Sequence, residues 1–451
     1  MRALGSINFK GDLFATGFSF GGLLLIKLIS SIILTRILRP EAYGVITIIT
    51  SISFVVAMLA DTNVSLFLIR DKNAEEPRYI NTAWTMRLCR CVLNTTIVFL
   101  CAPLITTTIY HAPELVAPLR VYSICDAISG LSSMAFVLAV RRKRSRITMY
   151  SELVAVLIST TFSVIYCHFS RNYWGIVYGM VLNSLLLMMF SYRFYPEFRP
   201  KFQFDKTAAR EILSFTKYTM PSSLLTIAMT QFDKAVFLRL FDLRLLGIYG
   251  LAGNIANPVE SLVAKISSQV LYPRCAHNYR DDKETFSLKY YTENVKLFAS
   301  IMIVPAAVAG GAHLLIALLY DPRYAQAANV LQAFMLRAML LSLSTPAEDM
   351  LIASGASHVM LVGNLFRAAG VVAGCWIGYH FFGFTGFTYG VALSALPPLI
   401  YYWSLQRSKG MMIPKYELMK LSFIFSVVTG SAIASGLISA FIPVARITIR
   451  H

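Results

Sequence analysis

Apolar stretches of roughly twenty residues recur from one end of this sequence to the other, and they dictate the class of fold. A helix needs about that many mostly apolar residues to cross a bilayer, because lipid offers its backbone no hydrogen-bonding partner. We read spans at residues 13–35, 43–60, 80–107, 118–140, 147–168 and 174–191, then at 214–240, 247–272, 288–309, 326–346, 357–381 and 386–405. A thirteenth covers 417–443. The chain is 56% hydrophobic and only 14% charged, against about 25% charged in soluble domains. Residues 61–70 and 313–320 are too short to span and are expected at the interface. No stretch remains for a soluble domain, so the expectation is an all-α polytopic membrane protein. Two early cations, Arg2 and Lys10, precede the first span without a small-residue cleavage site, which reads as a retained helix.

A formal net charge of +18 would suggest nucleic acid for a soluble chain. Here the cations gather in alternate connections, as they do in cytoplasmic loops of membrane proteins. One connection is Arg141-Arg142-Lys143-Arg144-Ser145-Arg146; a second holds Arg193, Arg199, Lys201, Lys206 and Arg210; a third holds Arg274, Arg280, Lys283 and Lys289. The intervening connections at 110–117 and 382–385 carry no Lys or Arg. This alternation places the N-terminus in the cytoplasm and gives no support for nucleic-acid binding. The seven cysteines show no CxxC spacing and the seven histidines no ligand spacing, so buried packing is expected rather than a metal site.

The two halves look like repeats. SSIILTRILRPEAYGVITI aligns with DKAVFLRLFDLRLLGIYGL, so that Arg36 and Gly44 match Arg239 and Gly247 at a constant offset. Six spans in each half give both copies the same orientation. Parallel repeats about an axis along the membrane normal are a transporter architecture with the substrate path between halves; duplication without transport is the alternative. The expected organisation is an N-terminal lobe at 1–212, a C-terminal lobe at 213–406, and an additional helix and tail at 407–451.

LTRILRPEAYGVITI carries an L-x-R-x-L-x-P-x-x-[FY]-G pattern, and MPSSLLTIAMTQFDKAVFLRLFDLRLLGIYGLA includes the polar pair Asp233-Lys234. With SQVLYPRCAHNYRDD and SLSTPAEDMLIASGASHVMLVGNLFRAAGVV, in this order and spacing, they resemble the polysaccharide exporters, or oligosaccharide-lipid flippases, of the multidrug/oligosaccharidyl-lipid/polysaccharide (MOP) exporter superfamily. The resemblance runs over nearly the whole chain. It implies two six-helix lobes, transport of a polyprenyl-pyrophosphate-linked oligosaccharide across a bacterial inner membrane by alternating access, and no cofactor. It implies partners among membrane lipids and polysaccharide polymerase or export machinery. Family members often have twelve or fourteen helices where thirteen are read here, and Arg446 and Arg450 follow the last.

Ionisable groups deep in a bilayer are costly and face a wet cavity or the bundle interior. Lys27, Asp126, Glu260, Arg337 and Arg367 fall well inside their spans; Lys265 and Asp233-Lys234 lie nearer the ends. Arg87 and Arg90 are three apart and share a helix face. A cationic cavity of Lys27, Arg87, Arg90, Lys265, Arg337 and Arg367 would suit a pyrophosphate, since the Arg fork donates bidentately and Lys adds a compact charge. Arg87 and Arg90, with Arg120, Lys217 and Lys296, have the alternative of snorkelling to the interface. Asp126 and Glu260 read as counter-ions or as ion-coupling groups, and Asp233-Lys234 as an ion-coupling pair or a local pair orienting its helix. Tyr110, Trp174 and Tyr178 are sugar-stacking surfaces or members of an interfacial belt. Gly17 and Gly21 form a small-xxx-small pattern for close helix contact.

Other functions read differently. A drug antiporter of the same superfamily would want an acidic or apolar cavity, while a peptidoglycan-precursor flippase would also want a cationic one. A membrane glycosyltransferase or polymerase would need a sizeable extramembrane segment. Asp281-Asp282 is a paired carboxylate, but in a charged loop. No GxxxxGK[ST] pattern occurs, so direct ATP hydrolysis has no support.

Overall fold

The computed structural model describes residues 9–70, 74–142, 145–193, 200–281, 285–356 and 358–441. Arg2, Lys143, Arg144, Arg199, Asp282, Lys283, Arg446 and Arg450 lie outside them, as do the side chains of Lys10, Lys217 and Lys296. The described secondary structure is helical. The chain divides into two compact units, Met1–Ile227 with Lys234–Gly247, and Ala228–Asp233 with Ile248–His451.

The first unit contains α1 (Phe9–Ile37), α2 (Pro40–Leu59), α3 (Val64–Arg70), α4 (Pro77–Pro103), α5 (Val116–Leu131), α6 (Ala135–Arg141), α7 (Ser145–Ser170) and α8 (Trp174–Arg193). Both α2 and α4 open on proline, whose fixed φ and missing N–H suit the first helical position. α4 packs along α5, α7 along α8, and α1 along α7. Gly22 lets α1 approach α7: a Cβ there would come within 2.9 Å of Leu153. Gly21, expected to mediate a close contact, has open space around it.

α3 is amphipathic. Val64, Phe67 and Leu68 join a core with Tyr79, Ala83, Trp84, Met134, Leu138 and Ile212, while Leu66 and Ile69 stay exposed. Arg141 closes its C-terminal end by donating to the Leu68 and Ile69 carbonyls at 2.7 and 3.3 Å. The segment before α9 (Lys206–Thr230) is tied to the start of α4. Asn81 and Gln203 bond at 3.0 Å, Asp205 N–H donates to Thr82, and Thr85 donates to the Gln203 carbonyl.

α10 (Phe232–Leu240) and α11 (Leu243–Ile266) follow. The repeat-related glycines meet here. A Cβ on Gly44 would collide with the Leu243 carbonyl, and one on Gly247 with the Pro40 carbonyl. Both contacts obey the offset that aligns the repeats, Pro40 corresponding to Leu243 and Gly44 to Gly247. The pair is therefore reciprocal, and only glycine permits such backbone approach.

The second unit holds α12 (Tyr272–Asp281), α13 (Phe286–Leu319), α14 (Ala327–Ala353), α15 (His358–Leu393), α16 (Leu396–Ser408) and α17 (Pro414–Phe441). α14 is its centre, packed by α12, α13, α15, α16 and α17, with Leu331, Met335, Ala338, Met339 and Leu351 fully or nearly fully buried. α15 folds back on itself at Gly383, whose φ of 58° and ψ of −135° lie in a region open essentially to glycine alone. Its two arms then cross through Gly374 against Gly390 and Gly378 against Gly386.

Within the described residues each expected span is mainly helical, with breaks at 132–134, 231 and 394–395. Among the described residues seven helices are long and apolar enough to cross a membrane, eight if Pro113–Leu131 with Ala135–Arg141 counts as one broken span. Two local expectations need correction. Residues 313–320 are not a separate interfacial piece: α13 runs unbroken from Phe286 to Leu319. The stretch 118–140 is not one straight helix, because α5 and α6 meet at a bend of 57°.

Candidate functional site

The bend between α5 and α6 leaves backbone groups without helical partners, and side chains satisfy them. Ser132 is extended (φ −60°, ψ 143°). Its carbonyl accepts from Arg87 Nη2 and from Trp84 Nε1, the latter at 3.2 Å. Ser191 Oγ accepts the Ser133 N–H at 2.9 Å, and Tyr192 donates its hydroxyl to the Leu131 carbonyl at 2.6 Å. Arg87 thus stands over a helix break, where an unsatisfied carbonyl in a bilayer would cost on the order of several kcal/mol.

One turn along α4, Arg90 donates to Asp61 Oδ1 at 2.9 Å and reaches the Ala57 carbonyl at 3.5 Å. It secures the end of α2. Lys27 is different. It lies on α1 ten residues before Ile37, about 15 Å of helix. It is exposed, and no carboxylate pairs with it among the described residues. Asp126, on α5, lies against Cys91 of α4.

The second unit carries a connected polar chain. Arg337 on α14 grips Glu260 on α11 with two parallel bonds, Nε to Oε1 at 2.8 Å and Nη2 to Oε2 at 3.0 Å. Their side chains are 18% and 16% exposed. The guanidinium also stands 5.0 Å from the Phe334 ring centroid. Tyr249 sets its edge against Phe334 and donates its hydroxyl to Asp233, 5% exposed. Glu260, Arg337, Phe334, Tyr249 and Asp233 therefore form one line of contact. Lys265 is exposed a turn beyond Glu260 on α11; Lys234 is half-buried and begins the part of α10 that packs with the first unit.

Arg367 on α15 has Glu348 of α14 and Tyr402 of α16 as electrostatic neighbours, and its Nε and Nη2 are buried without a hydrogen bond. Asp349 accepts from Ser267 at 2.5 Å. Sequence reasoning passed over Glu348 and Asp349, although two consecutive carboxylates in an apolar helix were the signal. Tyr249 and Tyr402, both fully or nearly fully buried, gave no signal, because aromatic residues are common throughout such helices. Of the aromatic candidates, Trp174 and Tyr178 stack at 5.4 Å, and Tyr166 meets Tyr178 edge-on at 5.5 Å. The described residues contain no cluster of His, Cys, Asp or Glu able to hold a metal.

Comparison with known proteins adds to this geometry. The model of a family described as polysaccharide biosynthesis protein matches residues 33–329. The amylovoran biosynthesis protein AmsL of Erwinia amylovora is 22% identical over 319 residues, covering 69% of this chain and 81% of the relative. The succinoglycan biosynthesis transport protein ExoT of Rhizobium meliloti is 21% identical over 248 residues, covering 55% of this chain and half (50%) of the relative. Among solved structures, the lipid II flippase MurJ in an inward closed conformation superposes with a TM-score of 0.65 at 11% identity, over 96% of this chain and 99% of that one. An inward-facing multidrug resistance MATE transporter of the MOP superfamily gives 0.63 at 13% identity, over 86% and 94%. The fold is thus of the MOP type.

Proposed function

Since the chain belongs to the polysaccharide biosynthesis protein family, we propose that it is a transporter. It moves a polyprenyl-pyrophosphate-linked oligosaccharide, the repeat unit of a surface polysaccharide, across a bacterial inner membrane by alternating access. The N-terminus and the basic connections face the cytoplasm in this reading.

The observation that carries it is Lys27. A lysine at the middle of a membrane helix costs about 2.5–3.5 kcal/mol on insertion scales, and no carboxylate among the described residues offsets that cost. A water-filled path for an anion would. Lys27 is an exposed cation of the first unit that would meet the diphosphate directly, and Lys265 adds an exposed positive charge in the second. Arg337 would act after exchange: Glu260 holds two of its donor groups, and an arriving pyrophosphate would displace it, whereas Arg367 keeps Nε and Nη2 without a hydrogen bond. Arg87 and Arg90 support helix ends and add positive field. Glu260 and Asp233, at the two ends of one contact line, would pass that exchange to α10 and Lys234, which makes them the coupling candidates of the second unit.

The test is binding of polyprenyl pyrophosphate, polyprenyl monophosphate and neutral polyprenol to the full chain in nanodiscs. The diphosphate should bind best, lose affinity with salt, and weaken at least tenfold in Lys27→Ala with Lys265→Ala. Equal binding of the neutral polyprenol would refute the assignment.

A further inference from the structure

The residues leading into α9 are fastened to α4 at every second position. Lys201 N–H donates to Asn81 Oδ1 at 3.0 Å. Gln203 bonds Asn81 through its side chain and Thr85 through its carbonyl, and Asp205 N–H donates to Thr82 at 3.0 Å. The two residues between them, Phe202 and Phe204, turn outward and are 74% and 59% exposed. Phe202 keeps only an edge contact with Trp84, 6.1 Å between centroids. Two large apolar side chains held outward by a bonded backbone mark a contact surface.

Depth identifies what covers them. The helical run from Pro77 to Ile109 has 33 residues, about 50 Å at ~1.5 Å each, against roughly 30 Å of hydrocarbon. Its first turns therefore lie among the lipid headgroups. Asn81, Thr82 and Thr85, which hold the segment, fall in those turns. The amphipathic α3 shares the core at this end: Phe67 and Leu68 pack with Tyr79, Trp84, Ala208 and Ile212.

Charge agrees with depth. Lys201, Lys206 and Arg210 flank the two phenylalanines and are exposed. The neighbouring carboxylates are engaged. Asp205 accepts the Ala208 N–H at 2.8 Å, and Glu211 accepts the Tyr79 hydroxyl at 2.7 Å. Glu76 pairs with Arg78 at 2.7 Å, and Glu75 with Arg142 at 2.8 Å. Aromatic rings beside exposed cations fit an anionic lipid surface: the rings enter the boundary between headgroups and acyl chains, and the cations stay at the phosphates.

We propose that residues 201–210 anchor the first unit on the membrane surface. Phe202 and Phe204 enter the bilayer boundary, and Lys201, Lys206 and Arg210 hold the headgroups of anionic phospholipids. The anchor does not rest on the substrate assignment, and its test contains no lipid-linked sugar, so either can fail alone.

The experiment places the full chain in nanodiscs of phosphatidylcholine with rising fractions of phosphatidylglycerol. The emission that Phe204→Trp adds to wild type should be quenched by lipids brominated near the start of the acyl chain and resist aqueous acrylamide. If that variant does not fold, Phe202→Trp replaces it, with the same quenching expected. Phosphatidylglycerol should raise the wild-type melting midpoint saturably. Combining Lys201→Gln, Lys206→Gln and Arg210→Gln should raise the fraction needed for half the effect at least threefold, with no change in phosphatidylcholine alone. Quenching by acrylamide without quenching by brominated lipid would overturn the anchor and leave a protein partner for the two rings. An equal response of wild type and triple variant to phosphatidylglycerol would overturn the headgroup assignment.

Discussion

Glu260 and Arg337 offer the sharpest energetic prediction. Both bonds of the pair are short, and both side chains are more than four-fifths buried. Replacing Glu260 by Gln leaves a guanidinium shut in the unit with Phe334 and a single, weaker acceptor, the amide oxygen, the other carboxylate oxygen having become an NH2 donor. Breaking one partner of such a pair costs about 3–5 kcal/mol, much of it the stranded charge. Partial exposure favours the lower end, so we expect about 3 kcal/mol for Glu260→Gln and a similar loss for Arg337→Met. The double variant strands no charge and should be no less stable than either single one. The double-mutant cycle should then yield a coupling of at least ~2 kcal/mol. Half-lives of thermal inactivation in detergent measure it, about 1.4 kcal/mol corresponding to a factor of ten. Additivity within ~0.5 kcal/mol would refute the argument that these side chains compensate one another.

Three further outcomes are expected. Gly44→Ala and Gly247→Ala each force apart a backbone contact and should lower stability by about 1–3 kcal/mol, whereas Gly21→Ala, with open space around it, should be neutral in the same melting assay. Arg87→Leu removes a charged donor from the Ser132 carbonyl and should cost about 1.5–3 kcal/mol, with the shift read from the melting midpoint. The carboxyl of Glu75 is held below its ordinary value of 4.5, first by its hydrogen bond with Arg142. That stabilisation is present above pH 4.5 and is lost as pH falls through the lowered value. With the side chain 42% exposed, solvent screening leaves roughly a few tenths of a kcal/mol. The stability gap between wild type and Glu75→Gln should close on acidification.

The helices were legible because lipid imposes a length and a composition on every span. The turn at 382–385 was legible for a related reason: Gly383 sits where the polypeptide must reverse. Residues 313–320 were set apart because they are too short to span alone. Within an apolar run of mean hydropathy 2.1 over Ile301–Leu319, ending the helix would strand backbone groups, so it continues. The α5–α6 bend was hidden because its stabilisers, Trp84, Arg87, Ser191 and Tyr192, come from two other helices. Buried cations were visible as charges in apolar stretches. Which of them would be gripped, as Arg337 is by Glu260 77 residues away, depends on helix register that no local pattern encodes.

The central claim is that exposed cations in this fold carry an anionic, lipid-linked sugar from one leaflet to the other. The leaflet location of lipid-linked repeat units, in cells with and without the protein, tests it most directly. Depletion should trap them in the cytoplasmic leaflet, with wild type restoring export and Lys27→Ala failing to do so at equal abundance. An unchanged leaflet distribution with normal surface polysaccharide would contradict the account.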